Sequence, residues 1–114
     1  MDLCDTIGEL NVGIAVDIYH VWWDQNLEAE LNRAGADRLF GFHLCDWLEQ
    51  TADILLDRGM MGDGVADLKA IRSSVEHAGY NGYCEVEIFS AKNWWKLDPN
   101  TVLDTVVERF QTVC

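Results

Sequence analysis

VGIAVDIYHVWWD, residues 12 to 24, decides how this chain is read. Val12 to Ile18 is a nearly continuous apolar run, the pattern of a strand covered on both faces in a parallel sheet and not the alternation of a half-exposed one. Yet Asp17 stands near its end, His20 follows three residues later, and the adjacent Trp22 and Trp23 close the stretch. A core strand that ends on a carboxylate and an imidazole must turn that end toward something polar.

Working outward, the same pattern recurs. Before the run, Leu3, Cys4, Ile7 and Leu10 fall at helical spacing. After it, Asn26 is placed to cap a helix through Ala34, with Leu27 and Leu31 on one face and Gly35 as its stop. A second strand follows from Leu39 to Leu44, within RLFGFHLCD, and then a loop from Asp46 to Gly64 that carries DRGMMGDG. Asp67 caps a third helix with a stripe of Leu68, Ile71, Val75 and Ala78, ended by Gly79. YCEVEIF reads as a third strand. Asp98 followed by Pro99 opens a last helix whose buried face is Val102, Leu103, Val106, Val107 and Phe110. Three strand-to-helix units in succession predict an α/β fold with a parallel sheet and helical crossovers.

Composition bounds the rest. A chain of 114 residues, 49% of them apolar and only one a proline, is globular and the size of one domain. Twenty acidic residues against eight basic ones give a formal charge of −12, scattered through every segment. Such a field repels phosphate backbones and anionic lipid, which argues against nucleic acid and membrane as partners, although a bound divalent cation would reverse the sign locally. Cys4, Cys45, Cys84 and Cys114 form no CxxC pair and read as reduced packing residues, so a cytoplasmic location is expected. No apolar segment approaches membrane-spanning length, and the N-terminus lacks the pattern of a signal peptide.

Three potential ligands sit at or near the strand ends: Asp17, His43 and Glu87. In parallel α/β architectures those ends open onto one face, so the three converge. Each has a plainer reading: a carboxylate just past a strand also caps turns, and a lone core histidine often donates to a backbone carbonyl. Glu87 is the hardest to explain away, because a carboxylate inside VEIF needs a partner or a shifted pKa. Two carboxylates and one imidazole suit Mn²⁺, Co²⁺ or Mg²⁺, with Zn²⁺ admissible.

VDIYH, the strand end FHLCD, the loop DRGMMGDG and the strand end EVEIFS, taken in order, resemble the C-terminal half of the sugar isomerases and epimerases with a xylose-isomerase-like TIM barrel. The resemblance implies a partial (β/α)8 barrel, strands six to eight preceded by a helix, with residues 1–114 forming a C-terminal fragment of the domain. It implies that Asp17 and His43 bind a divalent metal and that Glu87 binds it and also exchanges a proton with substrate. By the same resemblance His20 holds a substrate hydroxyl and Arg58 contacts substrate from the loop after strand seven; Glu85 shares a sheet face with Glu87, but the match of EIF favours Glu87. The implied reaction is isomerisation or epimerisation of a sugar or sugar phosphate, a proton moved beside a carbonyl through a metal-stabilised enediolate. Trp22, Trp23, Trp94 and Trp95 are candidates to pack against a sugar's apolar face, or simply to fill the barrel rim.

The sequence also departs from that family. A full barrel takes about 250 residues, and the family's fourth metal ligand, a glutamate near the end of strand five, would lie upstream of Met1. Open strand edges on both sides predict a chain that is marginal alone or associates with itself. Two other readings stand beside the enzyme. One is a degenerate barrel fragment serving as a non-catalytic binding or assembly module, against which the joint retention of Asp17, His20, His43, Arg58 and Glu87 speaks. The other is an endonuclease IV-like DNA repair enzyme, which needs a histidine directly after the pair Asp57-Arg58; Gly59 stands there, and the net charge opposes DNA.

Overall fold

Three apolar runs pair as a parallel sheet in the order β1-β2-β3, with β1 spanning Ile14–Asp17, β2 Leu39–Leu44 and β3 Cys84–Val86. The computed structural model describes every residue from Met1 to Cys114. Around the sheet run α1 (Asp2–Ile7), α2 (Ile18–Val21), α3 (Leu27–Arg38), α4 (Leu68–His77) and α5 (Pro99–Thr112), with a short 3₁₀ turn at Trp94–Lys96. The α/β class and the alternation of strand and helix are as expected, and the crossovers are the helices α3 and α4.

The core forms where the strands' inward residues meet α3 and α4. Phe42 and Leu44 from β2 are fully buried against Leu31 of α3 and Val75 of α4, and Met60 and Met61 from the long loop complete the cluster. α4 has the strongest amphipathic pattern in the chain. Its cap is the expected one: the Asp67 carboxylate accepts the Ala70 N–H at 3.1 Å. At α5 the Asp98 carboxylate accepts the N–H groups of Asn100 (3.0 Å) and Thr101 (3.2 Å), with Pro99 in the first turn, so the sequence signal for that start is realised in full.

Four expectations need correction. The run Val12–Ile18 is not all strand: it pairs only from Ile14 to Asp17, and Ile18 already begins α2, because the Asp17 carboxylate accepts the Tyr19 N–H at 2.9 Å and turns the chain. YCEVEIF is strand only at Cys84–Val86; beyond it the Glu87 N–H still reaches the Leu44 carbonyl at 3.0 Å, but the Phe89 carbonyl is taken by the Arg58 N–H of the loop at 2.9 Å. Asn26 makes no side-chain cap, but Gly35 does end the first regular stretch of α3. The helix kinks there, with Gly35 at φ 58, and resumes to Arg38.

The remaining correction concerns a face, and the N-terminal segment is helical as its spacing predicts. On α5, Val102, Val106 and Phe110 are partly buried, whereas Leu103 is 62% and Val107 57% exposed. In the N-terminal segment only Cys4 is buried; Leu3, Ile7 and Leu10 are exposed. α1 is held by charge, through Arg33 on α3, which pairs with Asp2 at 2.7 Å and also with Asp5. No helix is long and apolar enough to cross a membrane.

Candidate functional site

The parallel ladder sets Asp17 of β1 beside His43 of β2 as direct partners. One strand further, Glu87 continues the line just past β3, still tied to β2 through its hydrogen bond to Leu44. The result is a cluster at the C-terminal edge of the sheet in which one ligand atom each from Asp17, His43 and Glu87 lies within 4.8 Å of the others. All three side chains are partly accessible: 12% for Asp17, 26% for His43 and 36% for Glu87.

A fourth side chain enters from the loop. Arg58 is brought in by the bridge between Asp57 and Ser90 and by that between Asp46 and Gly59, which pin the loop across the strand ends. Its guanidinium lies between two rings, 4.5 Å from the centre of Tyr19 and 4.9 Å from that of Phe89, and its side chain is 95% buried. Nη1 donates at 2.9 Å to Asp17 Oδ2 and at 2.9 Å to Glu87 Oε2. Burial opposes the charge on Arg58, but the hydrogen bond and charge of Asp17, with Glu87 behind them, outweigh it and hold its pKa above the ordinary value. Here is the partner that a carboxylate within VEIF requires.

The other residues singled out in the sequence are distributed around this pair. His20, on the single turn of α2, keeps a largely exposed ring whose Nε2 lies 3.8 Å from Asp17 Oδ2 and 3.5 Å from Arg58 Nη2. Trp22 belongs to an aromatic row, 6.0 Å from Trp47, which is in turn 4.6 Å from Tyr19, the ring beneath Arg58. Trp23 is 65% exposed, so the two neighbours divide between packing and rim. Trp94 donates its indole N–H to Asp63 at 3.1 Å, a loop contact. Glu85 pairs with His43 in the ladder but is exposed.

Cys45 is buried directly behind the cluster, its Sγ 3.7 Å from Asp17 Oδ1. Burial, reinforced by the Asp17 charge, pushes this thiol up to about 12, so it is a packing group and not a nucleophile. All four cysteines are free thiols.

Sequence reasoning missed Asp46. It is 1% exposed, and its two carboxylate oxygens accept four backbone N–H groups: Trp47 at 2.8 Å, Gly62 at 3.0 Å, Gly64 at 2.8 Å and Ala66 at 3.0 Å. It folds the loop that delivers Arg58. The available signal was a carboxylate directly after a buried strand, followed by a glycine-rich loop whose amides need an acceptor. Tyr19 and Phe89, the two walls of the arginine slot, were missed too, since both read as ordinary core.

In its chemistry, the donor set fits a hard or borderline divalent ion: two carboxylates and one imidazole, accessible from one side and preset by the sheet. The two isolated apolar hollows elsewhere, along α5, contain no such donors.

Comparison with known proteins agrees with this architecture. An inosose isomerase of Bacillus velezensis is 28% identical over 115 residues, which covers 98% of this chain and 40% of that protein. Among crystal structures, a protein from Sinorhizobium meliloti 1021 is 53% identical with a TM-score of 0.95, over 99% of this chain and 41% of that one. The IolI protein, solved with a binding zinc atom, is 25% identical with a TM-score of 0.82, over 98% of this chain and 41% of that one. The chain thus spans about two fifths of the length of the relatives it matches, between 38% and 42% for the curated ones. The family model described as xylose isomerase-like TIM barrel matches residues 1–112, nearly the whole length, and the chain belongs to that family, of which it carries three successive strands of the barrel.

Proposed function

We propose that residues 1–114 contribute the C-terminal strands of a divalent-metal-dependent isomerase or epimerase acting on a sugar, a sugar phosphate or a related polyol ketone, with Asp17, His43 and Glu87 as metal ligands. The observation that carries this reading is the convergence of those three donors within 4.8 Å at the ends of three parallel strands. It is supported by the relatives: the curated ones are named inosose isomerase, and the IolI structure holds zinc.

A divalent ion held by these donors would supply charge stabilisation to oxygens beside the carbon that loses its proton. The protein's own part is positional. Glu87 keeps a carboxylate at the accessible edge, where it takes a proton from a C–H group beside a carbonyl and returns one to the neighbouring carbon. His20 offers a ring nitrogen at the same edge to a substrate hydroxyl, and the aromatic row of Tyr19, Trp47 and Trp22 gives the site an apolar wall.

The test combines metal content with exchange of solvent deuterium into a panel of ketoses and inososes. Glu87→Gln is expected to lower exchange by at least about a hundredfold, the range of a lost acid-base group. Undiminished exchange, or no divalent ion bound by the wild-type chain, would remove the mechanism; a folded, metal-free and inactive chain would favour a binding module instead.

A further inference from the structure

We propose that Arg58 and the divalent ion are alternative counter-cations for the same two carboxylates, so that metal entry displaces the Arg58 guanidinium from Asp17 and Glu87; this rests on the metal-site reading above. Nη1 bridges Asp17 Oδ2 and Glu87 Oε2 at 2.9 Å each, spanning the two carboxylates of the donor set that an ion would use. A metal bound to those oxygens at about 2.0–2.2 Å would leave a guanidinium in that position facing a double positive charge at contact distance. The two cations cannot share the gap.

Arg58 is built to move rather than to stay. Of its five N–H donors, those on Nη1 make the strong contacts. Nε is buried with no acceptor, and Nη2 has only His20 Nε2 at 3.5 Å. An unpaired buried donor is costly, and here it belongs to the one side chain that must leave if a metal arrives. The rings of Tyr19 and Phe89 hold the guanidinium from both faces, and such contacts restrain its plane without fixing its position within that plane. A slide along this slot, away from Asp17 and Glu87 and past His20, breaks the two charged hydrogen bonds whose oxygens the metal then takes. It also turns Nε and Nη2 toward the open edge, where an oxygen-rich ligand can accept from them.

Two consequences follow. One of the two carboxylate charges stays compensated in the metal-free site of a chain of net charge −12, and metal affinity is lowered by the cost of expelling the arginine. The experiment is a Zn²⁺ titration, by competition with a chromophoric chelator, of wild type, Arg58→Lys and Arg58→Met, with His43→Ala as control. Arg58→Met should bind Zn²⁺ tighter than wild type, on the order of tenfold, with Arg58→Lys between them. Equal or weaker binding by Arg58→Met, with His43→Ala losing the ion, would overturn the displacement and leave the metal site standing.

Arg58→Met leaves two neighbouring carboxylates without their partner, so a second readout uses wild type alone. The Arg58 Nε–H resonance in ¹⁵N-labelled protein should shift on addition of one equivalent of Zn²⁺, and an unmoved resonance at saturating Zn²⁺ would overturn the proposal. No binding by wild type or by Arg58→Met would overturn the metal-site reading, and the displacement with it.

Discussion

Asp46 is the residue on which the site's loop depends. Its buried carboxylate is the acceptor for four backbone donors of the loop, so Asp46→Ala removes all four hydrogen bonds at once, where a typical surface change removes none. The expected loss is about 3 kcal/mol or more, read from urea unfolding; a loss below about 1 kcal/mol would show that the loop folds by other means. Cys45 makes a separate prediction in pH. Its folded pKa, about 12, lies above the reference 9.0, so its contribution to stability is fully present below pH 9 and is lost as pH rises from there toward 12. Melting temperature should therefore fall through that window less steeply in Cys45→Ala than in wild type, and parallel slopes would refute the assignment. Asp17, His43 and Glu87 were legible in the sequence because each interrupts or ends an apolar run, where a charge has few reasons to stand. Asp46 was not, because its role lies in the amides it receives, and amides carry no sequence signature.

Among the elements, helices read more truly than strands. The starts of α4 and α5 follow from Asp67 and from Asp98-Pro99, because a cap is a local interaction between residues two or three apart. Strand lengths depend on partners distant in sequence. β3 ends at Val86 because the loop claims Phe89, and β1 ends at Asp17 because that carboxylate also caps the next turn. The plainer reading of Asp17 as a turn former and its place in the cluster are therefore both correct: Oδ1 accepts from Tyr19, and Oδ2 faces Arg58. The loop from Asp46 to Gly64 is closely packed where it ends, at Gly64. A Cβ on Gly64 would lie 2.0 Å from the Trp47 carbonyl oxygen and 2.6 Å from Asp46 Oδ1, so Gly64→Ala cannot be absorbed by a side-chain shift. It should destabilise the chain by about 2 kcal/mol or more by chemical unfolding, and because the same loop carries Arg58 it should also alter the Arg58 Nε–H resonance. A neutral Gly64→Ala would mean that the loop is looser than described.

For the molecule as a whole, charge and exposed apolar surface set the behaviour. The sheet has free edges at β1 and β3, and α5 presents Leu103 and Val107 to solvent, Val107 beside β3. Unpaired edges next to apolar surface favour association, which the charge of −12 opposes at low ionic strength. Self-association is thus expected to increase with salt. Sedimentation velocity should show species heavier than 12.9 kDa at high concentration in moderate salt, and a monomer under all conditions would contradict the expectation. The α/β class and the convergence of three strand ends on one face follow from patterns spread along the chain, and these were legible. The uncovered faces of α1 and α5 were not, since periodicity marks a face as apolar without saying what lies against it.

The central claim is that Asp17, His43 and Glu87 form one metal site. Its most direct measurement is the stoichiometry and affinity of Zn²⁺ in equilibrium dialysis, for wild type and for His43→Ala, with folding of both checked by circular dichroism. The account predicts one ion per wild-type chain and an affinity loss of at least about a hundredfold in the folded His43→Ala variant. One ion bound equally well by both proteins would contradict it.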